Sequence, residues 1–418
     1  MVLTPLPKEL MIFLPFAALV YFFLRNPLKA ILERTIVFII VAILYVIVYL
    51  IVFSGDYYIL NFLVATMFYG SFISLFILKR PTKLDSNFKK RIDGFVEKVI
   101  VIEALVGVLQ VLMLGQGFDL SSGDYVQGTI NPLSFLNNDN GFANIFYTIN
   151  QVSLLTYYTL LSQKRKKLVI FLGCLSIFLA SCIHITISII LAAGVTLSII
   201  NMVKVAKVVG LILIFIGVLY FIAPRNLASF VSYKQQIVES RNLKVKSTVS
   251  SIPLLFSSPK IFLFGYGLGQ YGSRSSLIMS GKYFYDKQNK RFTNPVQIEN
   301  TNPDMEKVLM PLWVAGTTNM EYGLSVMNRP VYSIQSLIME LGPILFSVLA
   351  LAVISIVIRL RRKYIKVPDK TEKMRMLYLI TIIFFVVFIG MFENYLEIAQ
   401  GIFPTVLLFK ILSYKSSS

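Results

Sequence analysis

Metal binding and disulfide bonding are the first chemistries this sequence has little means to support. Its 418 residues include two cysteines and one histidine. Cys174 and Cys182 fall within one apolar run, without metal-ligand spacing or a disulfide framework, so both read as small buried apolar groups. The segments between the apolar runs contain no Asp-x-Asp and no His/Cys cluster, and neither metal nor cofactor is expected. Charge is scarce too. Asp, Glu, Lys and Arg make up 15% of the chain, against about 25% in a soluble domain. Acid is scarcer than base, 21 residues against 40, which leaves a net charge of +19. Nucleic acid is an unfavoured partner, because the basic clusters sit between apolar runs, where a positive-inside bias accounts for them. The N-terminus lacks the basic n-region of a cleaved signal, and Arg25 rather than a small-residue cleavage site follows the first apolar run, so that run reads as a retained span. There is no internal repeat, which weighs against a transporter built from two matching halves.

What the chain has in abundance is apolar sequence. Hydrophobic residues reach 56%, above the roughly 45–50% of soluble domains. A span needs about 20 mostly apolar residues, and about eleven candidates can be marked. They cover 10–24, 35–53, 59–78, 95–114, 141–161, 168–183, 185–201, 205–223, 331–358, 376–392 and 398–412. The first, and the pair around His184, are short enough to be tilted or partly re-entrant. Alternate connections are basic: Arg25, Lys29 and Arg34; the six cations from Lys79 to Arg91; Lys164 to Lys167; Lys204 and Lys207; and eight cations from Arg359 to Arg375. Residues 54–58 and 115–139 carry none. Lys and Arg stay on the cytoplasmic side, which predicts an outer N-terminus and an inner C-terminus.

That assignment puts residues 224–330 outside, between eight spans in 1–223 and three in 331–418. The segment holds 13 Lys/Arg and 6 Asp/Glu. Long loops are exempt from the charge rule, so a basic lobe on the outer face calls for an anionic partner at the membrane surface. Within it runs Phe264-Gly-Tyr-Gly-Leu-Gly-Gln-Tyr-Gly-Ser-Arg274. It contains a literal GxGxxG, but a dinucleotide fingerprint needs a strand, a helix, a later acidic residue and cytosolic cofactor. The physical reading is that Gly265, Gly267 and Gly269 let backbone N–H groups approach a phosphate, beside Tyr271, while Arg274 adds a bidentate cation. The alternative is a tight turn with a solvated arginine.

Other candidates are scattered. Asn131, in Gly128-Thr-Ile-Asn-Pro132, and Asn140 suit sugar hydroxyls or, more simply, turns and caps. His184 is read as a general base or phosphate-side donor, against a hydrogen-bonded structural histidine. Glu97, Lys98, Glu103, Glu393 and Glu397 suit a proton path or structural pairing. Trp313 and the tyrosines 266, 271, 283 and 285 suit interfacial anchoring or stacking on sugars.

Three of these stretches resemble the Wzy group of O-antigen and capsule polymerases, within the O-antigen ligase/polymerase family. They are Gly128-Thr-Ile-Asn-Pro with Asn140, the large outer loop with its glycine run and Arg274, and Glu340-Leu-Gly342 opening the next span. The resemblance implies an all-α, GT-C-like polytopic transmembrane bundle with one large extracytoplasmic loop lobe. It also implies a metal-independent glycosyltransferase that joins undecaprenyl-pyrophosphate-linked oligosaccharide repeat units on the outer face of the bacterial cytoplasmic membrane. A flippase and a chain-length regulator of the same pathway would be its partners. Arg274 and Arg329 would hold pyrophosphate, His184 would take the proton, Asn131 and Asn140 would contact sugar, and Glu340 would anchor the loop. The family's arginine near Val126-Gln127 is missing here, His184 stands where another arginine often opens a span, and the ligases' His-Asn pair is absent near Asn328. A ligase of the same family and a lipid-linked oligosaccharide flippase are the rival readings.

Overall fold

Apolar runs without internal breakers become helices, and the breakers set where they stop. The computed structural model describes residues 13–25, 28–53, 57–78, 86–113, 124–134, 143–200, 242–286, 289–295, 297–318 and 329–413. Among them are sixteen α-helices: α1 (Leu14–Arg25), α2 (Leu28–Phe53), α3 (Ile59–Phe68), α4 (Gly70–Ile77), α5 (Ser86–Met113), α6 (Ala143–Leu161), α7 (Lys167–Leu179), α8 (Ile183–Ile200), α9 (Leu243–Leu255), α10 (Pro259–Phe264), α11 (Arg274–Met279), α12 (Pro303–Val308), α13 (Met310–Thr318), α14 (Ser333–Lys366), α15 (Lys370–Ile389) and α16 (Ala399–Leu412). One antiparallel hairpin, β1 (Phe284–Asp286) with β2 (Arg291–Thr293), pairs Tyr285 opposite Phe292. The architecture is otherwise all-α.

Among the described residues, three helical stretches are long and apolar enough to cross a membrane: Glu33–Phe53 in α2, Ile183–Ile200, and Ser333–Lys366. The pair α3 and α4 would be a fourth, bent by 70°. Several helices of this kind mark a multi-pass membrane protein. Eleven spans were expected; among the described residues, helix length and composition give three or four. The reasons are local. The run 59–78 breaks at Tyr69. α7 and α16 have 13 and 14 residues, about 20 Å each against a hydrocarbon core of about 30 Å. The span expected over 205–223 lies outside the described residues. His184, expected between two spans, sits in the first turn of α8.

From Ile36 to Ile51 the exposed surface of α2 is apolar, with Ile36, Ile40, Leu44 and Ile51 turned outward, and α14 likewise exposes Ile344, Val348, Leu351 and Ile354. Such belts match lipid and would be a liability in water. Basic side chains from several connections gather at one end of the bundle by taking up carbonyls at or beside helix C-termini. Arg34 donates to Leu78 O (3.1 Å), Arg361 to Ile199 O (2.8 Å), Arg375 to Leu412 O (3.0 Å) and Lys410 to Leu75 O (2.5 Å). These carbonyls lack helical partners, and cations are favoured there by the helix dipole.

The two largest apolar clusters among the described residues lie between. One joins α5, α6, α7, α8, α15 and α16 around Tyr157, Ile185, Phe385 and Ile402. The other joins the segment 243–313 to α2, α3 and the start of α14 around Tyr49, Phe62, Tyr271, Trp313 and Met339. The loop lobe therefore shares its core with the helices below it.

The two cores are tied at α14. Gly342 leaves helical geometry (φ 74°, ψ 160°) and Pro343 follows. Proline has no N–H, so Met339 O loses its helical donor, and the break at Gly342 frees Glu340 O as well. The glycine run supplies replacements: Tyr266 N–H donates to Met339 O (2.9 Å) and Gly267 N–H to Glu340 O (2.8 Å). Such an approach needs bare backbone on both sides. A Cβ on Gly265 (φ +68°) would lie 2.3 Å from Gly342 N, and one on Gly342 would lie 2.4 Å from Gly265 N. Gly265→Ala and Gly342→Ala should each cost about 2–4 kcal/mol, from overlap and left-handed strain together. Gly94→Ala, on α5 with nothing within 4 Å of the new carbon, should be neutral or gain up to about 1 kcal/mol. Thermal unfolding of the purified proteins, followed by size-exclusion fluorescence, separates these outcomes.

Candidate functional site

The glycine run leads from this joint to Arg274 and fixes it on both sides. Leu268 N–H donates to the Tyr45 hydroxyl (2.9 Å), and Gln270 Nε2 to Tyr58 O (2.9 Å). A Cβ on Gly267 would meet the Tyr57 ring at 2.5 Å, and one on Gly269 would meet Asn61 O at 2.3 Å. Tyr271 is fully buried; its N–H donates to Glu340 Oε1 (3.1 Å) and its hydroxyl pairs with Ser251 (3.0 Å). Asn394 Nδ2 donates to Gly272 O (2.8 Å), and Glu397 Oε2 accepts from Arg274 N–H (2.6 Å). These backbone donors, expected to face a phosphate, are thus taken by the protein's own acceptors. Gly265, Gly267 and Gly269 serve close packing, and Tyr271 is closed to a sugar ring.

The side chain of Arg274 is in a different position. Its guanidinium lies over the Tyr283 ring at 5.5 Å, and its Nε, cut off from solvent, has no hydrogen-bond partner among the described residues. The Tyr283 ring stacks on Trp313 (5.8 Å between centroids, 12° between planes), and Arg329 lies over Trp313 at 5.7 Å. Two stacked rings therefore carry two guanidiniums. Arg329 is also paired to the buried Glu393, Nη1 to Oε1 at 2.9 Å, which holds its pKa above the ordinary value against the opposing effect of burial. Trp313 is itself pinned, its Nε1 donating to Lys282 O at 2.7 Å.

A third cation completes the group. Lys244 on α9 is buried, lies 5.7 Å over the Tyr332 ring and donates to Phe392 O. Burial pulls its pKa down to about 8; Glu393 opposes that and Arg329 adds to it. Beside these lies His184, whose Nε2 is 3.0 Å from the Tyr395 hydroxyl, with the two rings stacked at 5.9 Å. Burial pushes the Tyr395 phenol up, Glu393 and Cys182 add to that, and Arg329 and Arg274 oppose it. Arg274, Arg329 and His184 are thus brought together around Tyr395, although 55 to 145 residues separate them in the chain.

The remaining candidates fall elsewhere. Glu340 has no exposed surface; Oε1 receives the Tyr271 N–H, and Oε2 has no partner among the described residues. Asn131 belongs to a separate polar knot, where Gln110 Nε2 donates to Asn131 O (2.8 Å), Asn131 Nδ2 donates to Gln127 Oε1 (3.0 Å) and Thr129 donates to Glu103 (2.6 Å). Asn140 and Asn328 lie outside the described residues. No three His, Cys, Asp or Glu side chains come together as a metal site among the described residues. Sequence reasoning missed Lys244 and Tyr395. Lys244 is one cation among 13 in its segment and nothing singles it out. Tyr395 had a usable signal: Glu393-Asn-Tyr-Leu-Glu397 is a dense polar break between two apolar runs.

Set against known protein families, curated proteins and solved structures, the chain matches none. What the site does must therefore be argued from its own chemistry. Three cations face two buried carboxylates, Glu393 and Glu397, with a phenol and an imidazole at the centre.

Two outcomes follow from this electrostatics. Burial raises Glu397 from its ordinary 4.5 to about 7; the charge of Arg274 and the N–H groups of Arg274 and Ser275 pull the other way. The folded state thus holds this proton more tightly than the unfolded chain. The contribution is full below about pH 4.5 and is lost as pH rises through about 7. Thermal stability should fall across that window, on the order of 3 kcal/mol, and Glu397→Gln should flatten the fall. The second concerns Arg329. Arg329→Met alone should cost about 3–5 kcal/mol, because Glu393 is left buried and unpaired. Arg329→Met with Glu393→Met should restore most of that stability, as urea unfolding in detergent would measure.

Proposed function

We propose that this chain polymerises undecaprenyl-pyrophosphate-linked oligosaccharide repeat units on the outer face of the bacterial cytoplasmic membrane. The observation that carries the reading is the Arg274 guanidinium. It is partly buried, rests on a neutral aromatic face, and has an Nε with no hydrogen-bond partner among the described residues. A buried donor without an acceptor costs about 1–3 kcal/mol, a cost that an anionic ligand would remove. Arg329 and Lys244 beside it make the place suited to a diphosphate, which carries more than one negative charge.

In the transfer, the bond between C1 of the terminal sugar and the diphosphate oxygen breaks, and C1 bonds to a hydroxyl oxygen of the next lipid-linked unit. The diphosphate leaves with the bonding electron pair, and the hydroxyl proton passes to a base. Arg274, Arg329 and Lys244 stabilise the departing charge, the work done elsewhere by a divalent metal. His184 is the proton acceptor and is reached through the Tyr395 hydroxyl. Seating both lipid-linked substrates at one membrane face supplies the proximity that a bimolecular transfer needs. The gathering of Arg34, Arg361, Arg375 and Lys410 at the other end of the bundle supports a cytoplasmic assignment for that end, with the lobe outside.

Purified protein in liposomes, given lipid-linked repeat units and no nucleotide, is expected to build long glycan on the lipid. No elongation there, or glycan moved onto a different acceptor, would point to a flippase or a ligase instead. Arg274→Ala should lower elongation roughly 10- to 100-fold, the value of one to two charge-assisted contacts. Its melting temperature should fall only slightly, by what the contact with the Tyr283 ring and the charge felt by Glu397 contribute. Arg274→Lys should recover only part of the activity, because an ammonium cannot bind two oxygens side by side. Full activity in Arg274→Ala would remove this residue from the mechanism.

A further inference from the structure

The lobe carries an apolar face that the proposed chemistry does not use. On α9, Val245, Val249 and Ile252 are exposed, and Phe256, the residue after the helix, is the most exposed of the four at 66%. Their spacing, with about 100° per helical residue, confines them to an arc of roughly 60°. Lys246 and Ser250, both exposed, lie on one flank of that arc, while Leu243, Lys244, Ser247, Ser251 and Leu255 are buried on the other side. The stripe continues past the corner into α10, where Leu263 and Lys260 are exposed and Phe262 packs against Phe256 (5.6 Å between ring centroids).

The position of this corner is fixed by two contacts. Lys260 Nζ lies 5.0 Å over the ring of Phe53, the last residue of the lipid-facing stretch of α2. Gly265, at the end of α10, meets Gly342, and the lipid-facing belt of α14 begins two residues later at Ile344. The α9–α10 corner thus stands at the level where both lipid-facing belts end. In a bilayer matched to those belts, that level would be the boundary between hydrocarbon and headgroups. An apolar stripe with lysines along its edge suits this boundary: the stripe enters the acyl region and the ammonium groups reach lipid phosphates.

We infer that the α9–α10 corner is a membrane-docking element that lies in the plane of the bilayer, with Val249, Ile252, Phe256 and Leu263 immersed in lipid and Lys246 and Lys260 on anionic headgroups. The consequence for the site is direct. Lys244 is one residue from the exposed stripe but turns away from it, buried in the group of cations. A helix seated on the bilayer would set the height of that group above the membrane, independently of what reaction takes place there.

Single nitroxide labels test the placement. Both cysteines were expected to be buried; Cys182 is, but Cys174 is exposed, and Cys174→Ala removes that thiol. Cysteines introduced one at a time by Val249→Cys, Ile252→Cys, Phe256→Cys, Lys246→Cys and Ser250→Cys are labelled in vesicles of phosphatidylethanolamine and phosphatidylglycerol. Collision rates are then read with oxygen, which concentrates in lipid, and with a nickel chelate, which stays in water. At 249, 252 and 256 the ratio of oxygen to nickel collisions should exceed that at 246 and 250 severalfold, at a depth of about 5–10 Å. Ile252→Cys reports on the same face if Phe256→Cys does not fold. Nickel access at 249 and 256 would overturn the inference, because the face would then be wet. Exclusion of both reagents would overturn it equally, because protein would cover the face. Dipolar broadening in that last case would identify a second copy of the chain, and its absence would point to the apolar segment 205–223.

Discussion

The contact between Gly265 and Gly342 is the constraint on which the rest depends. A proline in α14 strips a donor from one backbone carbonyl, the break before it frees another, and both carbonyls are buried under the lobe. Unpaired, they would each cost about 1–3 kcal/mol. The glycine run restores them with its own N–H groups at 2.8 and 2.9 Å, and this is possible because neither strand carries a Cβ at the crossing. Everything C-terminal to the crossing is then placed by short tethers. Tyr271 is held by Glu340, Gly272 by Asn394 and Arg274 by Glu397. The Nε of Arg274 is the donor of this run left without an acceptor among the described residues.

Charge in the site is arranged by unequal partners. Arg329 has Glu393, and Lys244 has a backbone carbonyl, whereas Arg274 rests on an aromatic face. An aromatic face attracts a cation without supplying a hydrogen-bond acceptor, so the edges of the guanidinium stay available. A carboxylate in the same place would compete with any anionic ligand. The neutral Tyr283 and Trp313 rings align Arg274 with Arg329 without cancelling either charge.

The helical class of the fold, and most helix positions, were legible because long apolar runs leave few other solutions. The number of spans was not. The bend at Tyr69 and the buried polar side chains of α6 (Asn144, Thr148, Gln151 and Ser153) depend on what packs alongside, which periodicity does not encode. Arg274, Arg329 and His184 were legible as polar groups in unusual settings, and they converge. The role of the glycines was half legible: their permissiveness announces a close approach, but the approaching group is a carbonyl orphaned by a proline some 80 residues further on. Lys244 was invisible because its significance comes from burial alone. Asn131 was chosen by motif, and its surroundings tie it to Gln110 and Gln127 instead.

The chain contains a single tryptophan. It sits under Arg329, stacked on the ring that carries Arg274. All of the protein's indole emission therefore originates in one spot, between the two guanidiniums. Movement of either cation away from its ring would alter the quenching and the local field felt by that indole. The protein thus carries an optical gauge of its own cation pair, readable without any added dye.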